Sequence, residues 1–176
     1  VSFIMVGPAV FDPVGSSGTF EYRIDRKEIL EGLSELLMEI HRCGVPVGLQ
    51  LHHAGRQANP DLIEGVPVAP SAIPCPVRKS QPRALSVPEI ERIVEQYGIF
   101  AGRAKAMDFD AVEVHGSHGY LIAQFMSPYV NKRNDRFGGS FLSRMRFPLE
   151  VVWAVREALA GRAALAYRIS ADEYVE

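Results

Sequence analysis

Four strand-like runs alternate with three long helical patterns, and this order constrains the fold more than any other feature of the sequence. The runs are Phe3 to Gly7, Val45 to Leu51, Ala111 to His115 and Ala164 to Ile169. After the first, Ile29, Leu30, Leu33, Leu36, Leu37 and Ile40 recur at the 3.6-residue period of an amphipathic helix. Asp25 is placed to cap that helix and Gly44 to stop it. Ser86 and Glu89 have the spacing of a capping box, and Ile90, Ile93, Val94, Tyr97, Ala101 and Ala104 form the next apolar stripe. A third helix is expected over Leu142 to Leu159, with Phe147, Val151, Val152, Val155 and Leu159 inward and Pro148 starting or kinking it. Strands joined through helices lie parallel, so the chain reads as α/β, a parallel sheet with helices outside.

The connections are lopsided. Helix-to-strand links are short, as from Arg42 to Val45 and from Met107 to Ala111. Strand-to-helix links are long: Phe11 to Ile24, His53 to Leu85 and Gly116 to Phe141, the middle one stiffened by six prolines. All three leave the carboxyl ends of strands, where parallel α/β folds carry their sites. No internal repeat or domain boundary interrupts the pattern, so residues 1–176 read as one domain. The opening VSFIMVG looks like a strand already under way, and ISADEYVE follows directly on another; we expect a domain truncated at both ends.

Alternate residues of a strand face opposite ways. Val47, Leu49 and Leu51 oppose Gly48, Gln50 and His52; Val112 and Val114 oppose Ala111, Glu113 and His115; Leu165, Tyr167 and Ile169 oppose Ala166, Arg168 and Ser170. The apolar sets suit packing against helices. The other sets turn polar toward the carboxyl ends of all three strands, and polar groups inside a sheet are costly without partners. A self-satisfying hydrogen-bond network would explain any one of them; agreement among three strands points to a ligand site.

Bulk properties narrow the classes further. A formal charge of -2 gives no general attraction to nucleic acid or acidic membranes, and no apolar run is long enough to span a bilayer. Cys43 and Cys75 are far apart and form no CxxC pair, so neither a disulfide framework nor a metal–sulfur site is suggested. A cytoplasmic compartment is the expectation.

The stretch FDAVEVHGSHGYLIAQFMSPYVNKRNDRFGGSFLSRMRFPLEVVWAVR, Phe109 to Arg156, resembles the signature region of the Old Yellow Enzyme family of NADH:flavin oxidoreductases. It combines a strand-end HxxHGY, an Asn-x-Arg-x-Asp loop and a Gly-Gly-Ser turn into a helix. GLQLHHAGRQA, Gly48 to Ala58, is similar to that family's third-strand motif, and YRISADEYVE, Tyr167 to Glu176, to its fifth. HHAGRQ and SADEY are similar to the enoate reductase and dienoyl-CoA reductase-like branch. The resemblance implies units two to five of an eight-stranded (β/α)8 TIM barrel that binds FMN at its carboxyl end. It also implies reduction of the C=C bond of α,β-unsaturated carbonyl compounds with NAD(P)H, the choice between NADH and NADPH being open.

By the same resemblance, Gln50 would bind the pyrimidine edge of the flavin and Arg168 would stabilise the reduced ring near N1 and O2. His115 and His118 would hold the substrate carbonyl oxygen, and Tyr120 would deliver a proton to the α-carbon. His52 would help to shape the site. Asn131, Arg133, Asp135, Gly138, Gly139 and Ser140 suit loop architecture. Other readings stay open: structural side chains at each position, Arg168 paired with Glu113, or His115 and His118 as a metal pair lacking a third ligand. At the level of the whole molecule the alternatives are another FMN barrel such as a dihydrouridine synthase, or a fragment that does not retain FMN. A small enone or enoate is the expected partner, with neither nucleic acid nor membrane, and a homo-oligomer is possible for a full-length protein.

Overall fold

Period-two alternation in the strand runs creates one apolar and one polar face, and the computed structural model of residues 1–173 is organised around that division. In chain order the elements are β1 (Ile4–Val10), β2 (Tyr22–Arg23), α1 (Lys27–Arg42), β3 (Val47–His52), β4 (Val68–Ala69) and β5 (Arg83–Ala84). There follow α2 (Val87–Ala106), β6 (Ala111–Gly116), α3 (Leu121–Met126), α4 (Phe141–Leu159) and β7 (Ala164–Ile169). The main sheet has the order β2-β1-β3-β6-β7 with every pairing parallel, and β4 and β5 form a small separate ribbon.

Val47, Leu49, Leu51, Val112 and Val114 are buried from the apolar face of the sheet. They share one core with Leu33 and Leu37 of α1, Ile90, Ile93 and Tyr97 of α2, and Phe147, Val151 and Val155 of α4. Each such side chain contributes roughly 1.5–3 kcal/mol by leaving water, which makes this layer the main source of stability. The opposite face of the same strands carries Gln50, His52, Glu113 and His115.

Several local expectations are corrected. The first strand runs to Val10 rather than ending at Gly7, because a register shift between Val6 and Ala9 lets Ala9 and Val10 pair again with Leu51 and His52. Asp25 does not cap α1. Its carboxylate is held by the Arg23 guanidinium at 2.7 Å, and Arg26 occupies the cap position. Leu36 is exposed, not inward. The second strand begins at Val47, two residues late, and Pro148 lies inside α4, which starts from the Ser140 cap. The Ser86–Glu89 capping box is present: the Glu89 carboxylate accepts from the Ser86 backbone N–H at 2.8 Å.

The long carboxyl-end loops are ordered by their own side chains. Asn131 donates to the carbonyls of Phe125 (2.8 Å) and Phe137 (2.7 Å), and Arg133 donates to those of Pro70 (2.8 Å) and Leu85 (2.6 Å). A Cβ at Gly138 would lie 2.3 Å from the Arg133 carbonyl oxygen, so the turn there admits only glycine. These residues hold the loops, in keeping with the architectural reading of the Asn-x-Arg-x-Asp stretch.

Candidate active site

Strand register arranges the polar face in rows. Gln50, Glu113 and Ala166 are register partners across β3, β6 and β7. One row nearer the carboxyl ends, His115 partners Arg168. His52 joins that row through its ring, 5.2 Å from that of His115. Gln50, His52 and His115 are buried, whereas Arg168 is exposed at the rim. Gln50 donates its side-chain N–H to Glu113, so Glu113 is engaged by the amide and not by Arg168.

Beyond β6 the chain turns sharply. A Cβ at Gly116 would meet the Tyr167 hydroxyl at 2.2 Å, so a side chain there would have to displace the Tyr167 ring. His118 adopts the left-handed conformation at φ 57° and Gly119 follows at φ 69°. For a residue with a Cβ that conformation costs roughly 1–2 kcal/mol, which the surrounding bonds offset. Ser170 accepts from the His118 backbone N–H at 3.0 Å, and Gln57 donates to the carbonyls of His118 and Gly119 at 2.8 and 2.9 Å. The result is that the His118 ring returns over His115, with its Nδ1 3.3 Å from His115 Nε2.

The tautomers follow from these bonds. The Ser117 backbone N–H donates to His115 Nδ1 at 3.3 Å, so that nitrogen carries a lone pair. Burial, followed by the neighbouring charges of His52, His118 and Arg168, lowers the His115 pKa to about 3. His115 is therefore a neutral imidazole whose Nε2–H points toward His118 and the open side of the site. Tyr120, the cap residue of α3 rather than part of an irregular loop, completes the cluster. Its ring stands perpendicular to His52 at 4.3 Å and to His115 at 5.1 Å.

Beneath the cluster lies a charged support that sequence inspection missed. Glu21 lies 3.5 Å from His52 Nε2, and both side chains are almost wholly buried. Burial opposes the Glu21 charge, but the adjacent His52 ring and hydrogen bonds from Ser16 and Ser17 outweigh it and lower its pKa to about 2. Next door, His53 is buried with Nδ1 accepting from the Gly55 N–H at 3.0 Å and Nε2 3.8 Å from Asp12. Nothing in the local pattern around Glu21 marks it; only the folding of the β1 loop against β3 brings it in. Gln124, equally unforeseen, donates to the carbonyls of Ala54 (3.1 Å) and Gly119 (2.8 Å), tying the β3 loop to the β6 loop.

Gln50, Arg168, His52, His115, His118 and Tyr120 thus lie on one face and one end of a curved parallel sheet, as the strand parity anticipates. Tyr174, Val175 and Glu176, the end of the fifth-strand motif, lie outside the described residues. Among the described residues, no third His, Cys, Asp or Glu joins His115 and His118 in a cluster able to hold a metal ion.

This architecture is that of half a TIM barrel with a polar carboxyl-end rim. It superposes on morphinone reductase in complex with tetrahydroNAD with a TM-score of 0.91 at 32% identity, covering 99% of this chain and 52% of that one. The model of the NADH:flavin oxidoreductase / NADH oxidase family matches residues 1–176, and the chain belongs to that family of FMN oxidoreductases. It is 46% identical over 165 residues to an NADH oxidase of Thermoanaerobacter brockii, covering 93% of this chain and 25% of the relative. It is 39% identical over 174 residues to an NADPH dehydrogenase of Clostridium acetobutylicum, covering 99% of this chain and 51% of the relative. The chain therefore spans a quarter to a half of the length of these curated relatives.

The donor set fits FMN. Gln50 spends one N–H on Glu113 and keeps an acceptor and a second donor, and Arg168 supplies a cation from the adjacent row. Together these are the groups that the pyrimidine end of a flavin calls for.

Proposed function

We propose that the intact protein is an NAD(P)H-dependent ene-reductase acting on α,β-unsaturated carbonyl compounds, and that this chain supplies its substrate-polarising and proton-donating groups. FMN, when bound, would supply hydride transfer between NAD(P)H and the β-carbon of the substrate. Gln50 and Arg168 would hold its pyrimidine end, the Arg168 charge favouring the reduced ring. The single observation that carries the reading is the His115–His118 pair, with facing nitrogens 3.3 Å apart at the rim and Tyr120 beside it.

A neutral His115 donates from Nε2 without bringing a charge of its own, which suits an oxygen that becomes negative only as the reaction proceeds. His118, held in place through its backbone, offers the second ring to the same oxygen. Tyr120, half-buried with its ring 5.1 Å from that of His115 and 6.3 Å from that of His118, carries a hydroxyl proton that can be given to the α-carbon. His52, packed edge-on against Tyr120 and backed by Glu21, fixes the direction of that ring.

Visible spectroscopy tests this reading. The purified intact protein should carry flavin absorbance, and a phenol should add a long-wavelength charge-transfer band as the phenolate oxygen takes the place of the substrate oxygen. His115→Ala should remove that band while leaving the flavin bound. A flavin-containing protein that neither gives the band nor reduces enones would overturn the reading.

A further inference from the structure

We propose that Glu113 is a positioning residue that fixes which way round the Gln50 amide is presented to the flavin, an inference that rests on the flavin reading above. Gln50 and Glu113 are register partners on β3 and β6, with side chains on the same face of the sheet. Gln50 is 8% exposed and Glu113 half-buried, and the amide donates to the carboxylate.

The chemistry of the pair allows only one orientation. An ionised carboxylate has acceptors and no donor, so the amide end against it must be the nitrogen. Because a primary amide is planar, placing Nε2 on Glu113 sends Oε1 the other way and leaves the second Nε2 hydrogen beside it. The free edge of Gln50 then reads acceptor and donor, side by side. The pyrimidine edge of a flavin reads carbonyl, N–H, carbonyl, so the two edges match: Oε1 accepts from the ring N–H while Nε2 donates to a neighbouring carbonyl. Rotated by half a turn, the same amide would set donor against donor and acceptor against acceptor.

The neighbours keep Glu113 for this task. On the β7 side its register partner is Ala166, which offers no side-chain polar group. Arg168, the nearest cation in the pattern, belongs to the next row, partners His115 and is exposed. Glu113 is thus a carboxylate under the rim whose hydrogen bond goes to the one side chain that needs orienting.

Glu113→Gln is the test, since it keeps the shape but can both donate and accept, so it no longer dictates the Gln50 orientation. In the flavin-free full chain, the Gln50 side-chain NH2 should give two widely split NMR proton signals, one shifted downfield and slow to exchange; the signals are assigned with Gln50→Ala. In Glu113→Gln the splitting should collapse. FMN affinity, followed by quenching of flavin fluorescence, should fall by about tenfold, the scale of one misdirected hydrogen bond. The flavin reduction potential, which packing alone would not move, should rise as the carboxylate is removed. Narrowly split Gln50 signals in the unsubstituted chain would overturn the proposal, and so would a fixed amide with affinity and potential unchanged by the substitution. Failure of the unsubstituted intact protein to bind FMN at all would instead remove the flavin reading, and the role assigned to Glu113 with it, while the NMR signals would still report whether the pair exists.

Discussion

The two faces of β3 and β6 are made by the same twelve residues, yet they do opposite things. The face turned to the helices is aliphatic, continuous and backed by three helices, so its parts share a load. The face turned inward is a set of individually partnered polar groups: Gln50 on Glu113, His115 on Ser117 and His118, His52 on Glu21. Loss of an apolar side chain should therefore be read in stability and loss of a polar one in chemistry. The contrast is sharp enough to be broken by experiment.

The severest test is Tyr120→Phe in the intact protein. It should slow substrate reduction by about 10²–10⁴-fold, the usual range for a lost general acid, while flavin reduction by NAD(P)H keeps its rate. Stopped-flow measurement of the two half-reactions separates these effects, and equal slowing of both would move Tyr120 into the packing role. On the other face, Leu49→Ala should cost about 2–5 kcal/mol of unfolding free energy yet leave the phenol charge-transfer band at its normal position. A displaced band would mean that the faces are not independent.

Acid should act through the polar face. Burial, opposed in part by Asp12, lowers the His53 pKa from 6.5 to about 4, so unfolding exposes a group that binds a proton the folded state refuses. Stability should then be full above pH 6.5 and decline as pH falls through about 4. His115 acts in the same direction down to about 3, and the lowered pKa of Glu21 adds loss between about 4.5 and about 2. Thermal melts between pH 7 and 4 would check the slope; melts that do not shift over that range would contradict the buried neutral state of His53. The mildest perturbation is Glu89→Ala, which removes the α2 capping box and the ion pair to Arg83. It should lower stability by about 1 kcal/mol with no spectral change.

Much of this was legible in the residues, for reasons that differ by region. Helical periodicity located α1, α2 and α4 because each has one apolar stripe and one partner layer. Strand parity identified the inward polar rows because alternation is a local property. The resemblance carried by Phe109 to Arg156 supplied the family, which the comparison of residues 1–176 bears out. What local patterns could not supply was pairing across loops. Asp25 resembles a cap, but Arg23 competes for it. Glu113 has the charge to pair with Arg168, whereas strand register delivers it to Gln50. Glu21 reaches His52 across 31 positions of sequence, a proximity set by how the β1 loop folds back.

The ties between the β3 and β6 loops bear on any attempt to redesign the rim. Gln57 bonds to His118 and Gly119, while Gln124 bonds to Ala54, Gly119 and the Arg56 backbone. These two segments form a single cross-braced unit, so a graft that imports one of them alone would arrive with half its braces cut. Residues 53–57 and 118–124 are best transplanted together, as one cassette.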